Sequence, residues 1–268
     1  MSNSSINLDE AREYIVNLTL KAGDILRKYF NSGNFTSKSK GGVDLLTQAD
    51  EEIDKFLREN IKKQYPQTFL LTEETSPKDY SSMKEVNNLW VIDPIDGTVN
   101  FARGNSHFAV SIGLVDKGIS KLGVVYLPME DNLYWAQTNK EKAFLNGKIL
   151  SVSSTKELKE TVFGCDWGWE KEERLMLMKW LDKIVPYVRQ IKCANSAVAE
   201  PATLANGKMD AYLIYGIKPW DIAASSLLIR KAGGKITTPS GENWDIFNPS
   251  MLATNGVLHN KILKLINE

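Results

Sequence analysis

The chain is poor in the features that betray a specialised compartment or partner. Only two cysteines occur, Cys165 and Cys193, in 268 residues. They lack a Cys-x-x-Cys spacing, so two unpaired thiols in a reducing compartment are expected rather than a disulfide framework. Neither charge is in excess, with Lys and Arg totalling 33 and Asp and Glu totalling 33. A balanced chain carries no electrostatic footprint for nucleic acid or a membrane surface. No apolar run approaches the length of a membrane helix, and the polar residues 1–9 have no signal-peptide core. These absences lead us to expect a soluble, cytoplasmic protein with no nucleic-acid or membrane partner. There is no internal repeat and no low-complexity segment. The two histidines, His107 and His259, lie in apolar surroundings and read as structural.

What is present is enough chain for a large core, and secondary structure in blocks. At this length roughly three quarters of the unfolded surface can be buried. That suits one domain, 1–268, with an N-terminal half to about residue 150 and a C-terminal half from about 151. Residues 8–30 read as helix, with Ala11, Tyr14, Ile15, Leu18, Ala22, Ile25, Leu26 and Tyr29 on one face. Residues 31–42 are the longest loop-like stretch and carry Lys38 and Lys40. Val43-Asp44-Leu45-Leu46 leads into Thr47-Gln48-Ala49-Asp50, a capping-box spacing, and a helix to about Gln64. A short strand at 68–72 runs into Glu73-Glu74, and 77–88 reads as a mobile polar surface loop. Strands at 107–115, 118–126 and 132–138 follow in antiparallel succession, with a hairpin at Asn146-Gly147. The second half offers a strand at 161–167 and a helix at 170–184 with Leu175, Met178, Leu181 and Ile184 inward. A small-residue helix at 196–205, a strand at 211–215 and a helix at 221–232 come next. Short strands at 235–237 and 251–254 and a helix at 257–266 complete the chain. Strands and helices in blocks favour a layered α+β fold over a strictly alternating parallel one.

The most informative stretch is Trp90-Val91-Ile92-Asp93-Pro94-Ile95-Asp96-Gly97-Thr98-Val99-Asn100-Phe101. It opens as an apolar strand and ends in two carboxylates, a proline, a glycine and a hydroxyl. Pro94 bars the helical basin at Asp93 and presets a turn. The turn brings Asp96 back beside Asp93, with the Ile95 carbonyl in the same space. Gly97 clears the backbone for an approaching group. Thr98 opens a short helix whose free N–H groups suit a phosphate. Two carboxylates, a carbonyl and a hydroxyl are hard oxygen ligands of the kind Mg²⁺ prefers. Locally the same residues also make an ordinary turn with a capping aspartate. A covalent aspartyl-phosphate route is disfavoured, because the Asp-x-Asp-Gly-Thr signature would put its nucleophile at residue 94, a proline.

Four segments together resemble the inositol monophosphatase family of Mg²⁺-dependent phosphomonoesterases. They are Asp44 to Asp50, Thr72-Glu73-Glu74, Trp90 to Phe101 and Pro219-Trp220-Asp221-Ile222-Ala223-Ala224, in the family's order and across most of the chain. The resemblance implies a layered αβαβα sandwich, hydrolysis of a small-molecule phosphate monoester, sensitivity to lithium and a homodimer. It also implies two to three Mg²⁺ ions. Glu73, Asp93 and the Ile95 carbonyl would hold the first, and Asp93, Asp96 and Asp221 the second, with a weaker third near Glu73. Thr98 and Glu73 would position the attacking water, supported by Asp50. Asp96, Gly97, Thr98, Asn195, Ser196 and Asp221 would meet the substrate. Four carboxylates gathered in one cleft repel by roughly 3 kcal/mol per pair at about 5 Å and an effective dielectric near 20. Two cations relieve that repulsion and clamp attacking and leaving oxygens about 4 Å apart. The reaction implied is in-line attack by a metal-activated water, with no covalent enzyme intermediate.

The chain departs from the family at two places. Members selective for inositol carry an acidic residue where this chain has Ile214, and the family commonly has glycine where it has Asn195. Isoleucine accepts no hydrogen bond, and each hydroxyl left unpaired in a pocket costs about 1–3 kcal/mol. Inositol 1-phosphate or a related polyol or sugar phosphate is the family default. Fructose 1,6-bisphosphate, histidinol phosphate and nucleotide 3′- or 2′-phosphates stay open beside it. A metal- or nucleotide-sensing binding protein on the same scaffold is the alternative from outside enzymology. Local readings also stand beside the implied ones: Asp221 and Asp50 as caps, Glu73 as solvated surface, Lys38 and Lys40 as solvated or site-neutralising. Trp167 and Trp169 are core residues by default, or else an aromatic wall of the substrate pocket.

Overall fold

The computed structural model describes residues 6–41 and 44–268, without the side chains of residues 40, 41 and 44. Residues 1–5, Val43 and the Lys40 side chain, which figure in the sequence reading, lie outside the described parts. Helix α1 (Leu8–Ser32) starts where the Asn7 side chain accepts from the Asp9 and Glu10 N–H groups, and it stops at Gly33, which is left-handed at φ 61. A hairpin of β1 (Ser37–Gly41) and β2 (Asp44–Thr47) leads into α2 (Gln48–Gln64). Thr47 and Asp50 complete the capping box at the start of α2. Next come β3 (Phe69–Thr72), β4 (Leu89–Asp96), the short α3 (Thr98–Ala102), β5 (Ala109–Asp116), β6 (Ile119–Leu127), β7 (Asn132–Gln137), β8 (Phe144–Leu145) and β9 (Lys148–Ile149). The second half holds β10 (Val162–Trp167), α4 (Lys171–Ile184), β11 (Gln190–Lys192), α5 (Ala199–Ala205), β12 (Ala211–Tyr215), α6 (Pro219–Lys231), β13 (Lys235–Thr237), β14 (Ser250–Thr254) and α7 (His259–Asn267).

Two sheets organise these elements. One has seven strands in sequence order from β3 to β9, and the other has five in the order β11-β10-β12-β14-β13. In the first, only β3 and β4 run parallel, and the later pairs are antiparallel as expected for a meander. In the second, β10 lies parallel to both β11 and β12, and β14 is antiparallel to β12 and β13. Apolar faces require three cores. Ala11, Ile15, Leu26, Ile53 and Leu57 of α1 and α2 close over Trp90, Ile92 and Val110 of the first sheet. Ala202, Ile222, Ala223 and Leu228 of α5 and α6 fill the space between Val91 and Val125 on one side and Tyr212 and Ala253 on the other. Leu177, Leu181 and Ile184 of α4, with Ile262 and Ile266 of α7, cover Phe163, Leu213 and Leu252 on the outer face of the second sheet. The order is helix, sheet, helix, sheet, helix, the layered α+β sandwich.

The central layer sits unusually close to the first sheet. A Cβ on Gly113 would come within 2.9 Å of the Ala223 Cβ, and one on Gly123 within 2.6 Å of the Ala224 carbonyl oxygen. Two glycines facing two alanines therefore let α6 lie on the strands almost backbone to backbone. That contact delivers the N-terminus of α6, and Asp221, to the end of β4.

Several sequence expectations are corrected here. Ser37–Gly41 is a strand paired with β2, not a loop; its Ser-Lys alternation carries no apolar signal. The 77–88 segment contains a helical turn at Ser81–Glu85, and its Tyr80, Met83 and Val86 pack on the central core. On α4 the inward residues are Leu177, Leu181 and Ile184, while Leu175 and Met178 are exposed. Leu181 and Ile184 are buried as expected, and Leu177 takes the place expected of Leu175 and Met178. Helix α6 begins two residues before Asp221, at Pro219, whose missing N–H costs nothing in a first turn. His259 is buried between the hydroxyls of Thr237 at 3.0 Å and Thr254 at 2.9 Å, a structural role. His107 is partly exposed and stands 3.8 Å from Glu130. Cys165 and Cys193 are both free thiols. Among the described residues no helix is long and apolar enough to cross a membrane.

Candidate active site

The carboxylates of β4 owe their placement to an irregularity. In a regular strand, residues three apart face opposite sides. Here Asp93 pairs with Ser111 and Asp96 with Ala109, so β4 spans one residue more than its partner. That bulge turns Asp96 back to the side Asp93 faces. The sequence had assigned this job to a turn at Pro94. Instead the strand continues through Pro94 to Asp96, and the turn comes at Gly97, with φ 83. A side chain at Gly97 would press on the carbonyl oxygens of His107 at 3.0 Å and Asn195 at 3.3 Å.

A cleft of about 250 Å³ opens at this point, and its lining includes the acids Glu73, Asp93, Asp96 and Asp221 and the apolar Trp167, Trp169 and Ile214. Glu73 follows β3, and its N–H donates to the Ile92 carbonyl, which sets it beside Asp93. Asp221 occupies the third position of α6, where its carboxylate accepts from the Lys218 N–H at 2.8 Å. Asp96 accepts a hydrogen bond from the Ser196 hydroxyl. Burial, then the charges of Asp166 and Glu73, push Asp96 up to about 7 despite that bond. Burial, then Glu73 and Asp96, raise Asp221 well above the usual carboxylate range. Like charges held out of water favour protonation or a counter-ion.

Beside the carboxylates, the Thr98 hydroxyl lies 2.9 Å from the Ile95 carbonyl and 3.1 Å from Asp50 Oδ1. Asp50 is fully buried, and its other oxygen accepts from the Thr47 N–H at 2.7 Å. The capping and supporting readings of Asp50 are therefore one arrangement, with one oxygen used for each. Asn195 has φ 59, the left-handed region that glycine enters freely and asparagine tolerates. That accounts for an asparagine where the family commonly has glycine. Its carbonyl, with those of Ala194 and His107, accepts from the Asn100 side chain. Ser196 then donates its N–H to Asp166 Oδ2 at 3.2 Å.

The structure thus brings Glu73, Asp93, Asp96, Gly97, Thr98, Asn195, Ser196 and Asp221 to one cleft, with the Ile95 carbonyl turned to Thr98. Asp50 stands behind Thr98. Lys38 is not there; its ammonium pairs with Glu51 at 2.6 Å. Trp167 and Trp169 are exposed wall, not core. Sequence reasoning missed Asp166, which lines the cleft, and Glu200, a buried acid that interacts with it. Burial, then the charge of Asp166, pushes Glu200 up to about 10. The available signal was a lone acid in each of two otherwise apolar segments.

Convergent carboxylates at the ends of strands, next to a hydroxyl and a helix start, define a phosphate-handling hydrolase of layered α+β type. A model of the inositol monophosphatase family matches residues 7–268, and the chain belongs to that family, whose members are phosphatases acting on phosphate monoesters. It is 34% identical over 267 residues to an inositol monophosphatase of Dictyostelium discoideum, covering 98% of this chain and 97% of that protein. It is 30% identical over 256 residues to the fructose-1,6-bisphosphatase/inositol-1-monophosphatase of Thermotoga maritima, covering 96% and 95%. Among solved structures, the extragenic suppressor protein SuhB of Bartonella henselae superposes with a TM-score of 0.87 at 28% identity, covering 97% of this chain and 99% of that one.

Proposed function

We propose that the cleft hydrolyses a small-molecule phosphate monoester with the help of Mg²⁺, by direct attack of water and without a covalent enzyme intermediate. The observation that carries this reading is the convergence of Glu73, Asp93, Asp96 and Asp221 on one cleft beside the Thr98 hydroxyl, where burial and mutual charge raise the proton affinity of Asp96 and Asp221. A site that resists the ionised form of its own acids suits a divalent cation. Among the described residues no three or more of His, Cys, Asp and Glu are drawn together closely enough to cage an ion. Carboxylate, carbonyl and phosphate oxygens are the hard ligands Mg²⁺ takes.

Glu73, Asp93 and the Ile95 carbonyl would hold one ion, Asp93, Asp96 and Asp221 a second, and Glu73 a weaker third. When bound, Mg²⁺ neutralises the carboxylates and acidifies the attacking water. The protein's own contribution is orientation. Asp50, fixed by the Thr47 N–H, holds the Thr98 hydroxyl so that its lone pairs can accept from a water in the cleft. Glu73 supplies the second acceptor for that water. Gly97 and Thr98 head α3, where the first N–H groups have no intrahelical partner and suit a phosphate oxygen. Ser196 fixes the rotamer of Asp96.

The test is phosphate release from polyol, sugar, amino-alcohol and nucleoside monophosphates over a range of Mg²⁺ concentrations. Release that requires Mg²⁺ is expected. No release from any ester at any Mg²⁺ concentration would refute the reading, and calorimetric binding of Mg²⁺ and nucleotide without turnover would replace it with a sensor.

A further inference from the structure

Building on the phosphatase reading, we propose that the leaving alcohol of the substrate carries a flat conjugated ring, a nucleoside in its biological form, stacked on a wall made by Trp167 and Trp169. The chain has seven tryptophans. Among them these two alone are exposed, at 40% and 43%, and both line the same cleft as the carboxylates. Tryptophan is enriched at binding surfaces, where its apolar ring is covered and its N–H stays wet. Two placed two residues apart on one cleft wall form a platform for a π-face.

The platform is built rather than loose. Between the indoles, the Gly168 N–H donates to the Tyr215 carbonyl at 2.8 Å, and the Arg174 side chain donates to the Gly168 carbonyl at 3.3 Å. The Glu173 carboxyl fills the space over Gly168 and Gly216, where a Cβ on either would lie within 2.5 Å of it. The same carboxyl accepts from the Glu170 N–H. Strand β10 and the loop after β12 are thereby tied together at the rim, and the indoles enter pre-positioned.

The rest of this end disfavours a polyol. Ile214 lines the cleft and accepts nothing. Asp166 also reaches the cleft, with one lone pair of each oxygen engaged by the Ser196 N–H and the Cys193 thiol. Lys218 has only donors to offer. A ring of hydroxyls would find few side-chain acceptors beside the indoles, whereas a base gains from the π-face it presents to them.

The test compares kcat/KM for adenosine 2′-, 3′- and 5′-monophosphates with those for inositol 1-phosphate and glycerol 2-phosphate, in the full chain with Mg²⁺. At least one adenosine ester is expected to exceed both ringless esters. In Trp167→Ala and Trp169→Ala the ratio of that ester to glycerol 2-phosphate should fall about ten- to a hundredfold, the usual loss of a stacking partner, and the phenylalanine variants should keep most of it. Adenosine itself should inhibit competitively. The proposal is overturned if inositol 1-phosphate is the better substrate, or if the ratio ignores both alanine variants. Failure to release phosphate from every ester would instead overturn the phosphatase reading beneath it.

Discussion

The two ends of the cleft are built on opposite terms. At the acidic end Asp93 and Asp96 are 1% and 6% exposed, wired to strand and helix starts, and crowded by like charge. At the aromatic end Trp167 and Trp169 keep 40% and 43% of their surface in water. The first end costs stability and is relieved by a ligand. The second costs little and selects among ligands. Reaction and preference should therefore respond to different perturbations.

The largest effect tests the acidic end directly. Asp96→Asn removes one of the carboxylates that crowd each other and keeps the volume. Turnover should drop by three orders of magnitude or more, since a group that positions charge in the reacting centre is lost. The melting temperature of the Mg²⁺-free protein should rise, because a buried charge that resists ionisation is gone. A variant that melts lower and keeps activity would show that Asp96 is an ordinary structural acid.

Next in size is the pH dependence of stability without metal. An acid whose folded pKa is about 7, against 3.8 unfolded, is held protonated by the native state. Its penalty is absent below 3.8, grows as pH rises, and is complete above about 7. Asp96 alone amounts to something on the order of 4 kcal/mol across that window, and Asp221 adds in the same sense. His259 works against this: burial lowers it from 6.5 to about 4, so its neutral native form loses stability as pH falls below 6.5. Chemical denaturation of the Mg²⁺-free protein should show stability declining from pH 6 to 8, and Mg²⁺ should flatten the decline. An increase over that range would mean that these acids are ionised and already satisfied.

How far the sequence could lead follows from the range of each interaction. The run into Asp93, the capping box at Thr47 and Asp50, and the Asn146-Gly147 hairpin are local, and local chemistry was enough to place them. The bulge at Pro94 was not legible, because its extra residue is defined only against Ser111 and Ala109 on the neighbouring strand. The contact of Asp166 with Glu200 joins β10 to α5, and no spacing announces it. Leu175 and Met178 were misplaced because α4 carries two apolar stripes and only packing against α7 chooses between them. The indoles were left between core and wall for the same reason: sequence shows size and polarity, but not the space in front.

The close seat of α6 gives the third prediction. Gly123→Ala would place a methyl 2.6 Å from the Ala224 carbonyl oxygen, and overpacking of this kind costs about 1–3 kcal/mol. Relief requires α6 to lift, which moves Asp221 on the helix itself, whereas the indoles belong to β10 and the loop after it. Activity should fall by a common factor on ring-bearing and ringless esters alike, so that kcat drops while the ratio between esters holds. A changed ratio would show that the two ends are mechanically coupled.

The smallest effect falls where the two ends meet. Asn195 is left-handed at φ 59, its carbonyl crowds the Cα side of Gly97, and the next residue links Asp96 to Asp166. Asn195→Gly removes a mild backbone strain but loosens the unfolded chain, and the two nearly cancel, leaving about 0.5 kcal/mol or less. Asn195→Ala keeps the strain and loses the tolerance of asparagine for this conformation, at about 1 kcal/mol. Urea titration of the three proteins should therefore rank glycine and asparagine together, with alanine below. If alanine is as stable as asparagine, the backbone here relaxes easily, and the step from Asp96 to Asp166 is looser than the hydrogen bonds imply. In that case the acidic end would owe its geometry to β4 and α6 alone, and the comparison between the two ends would lose its common hinge.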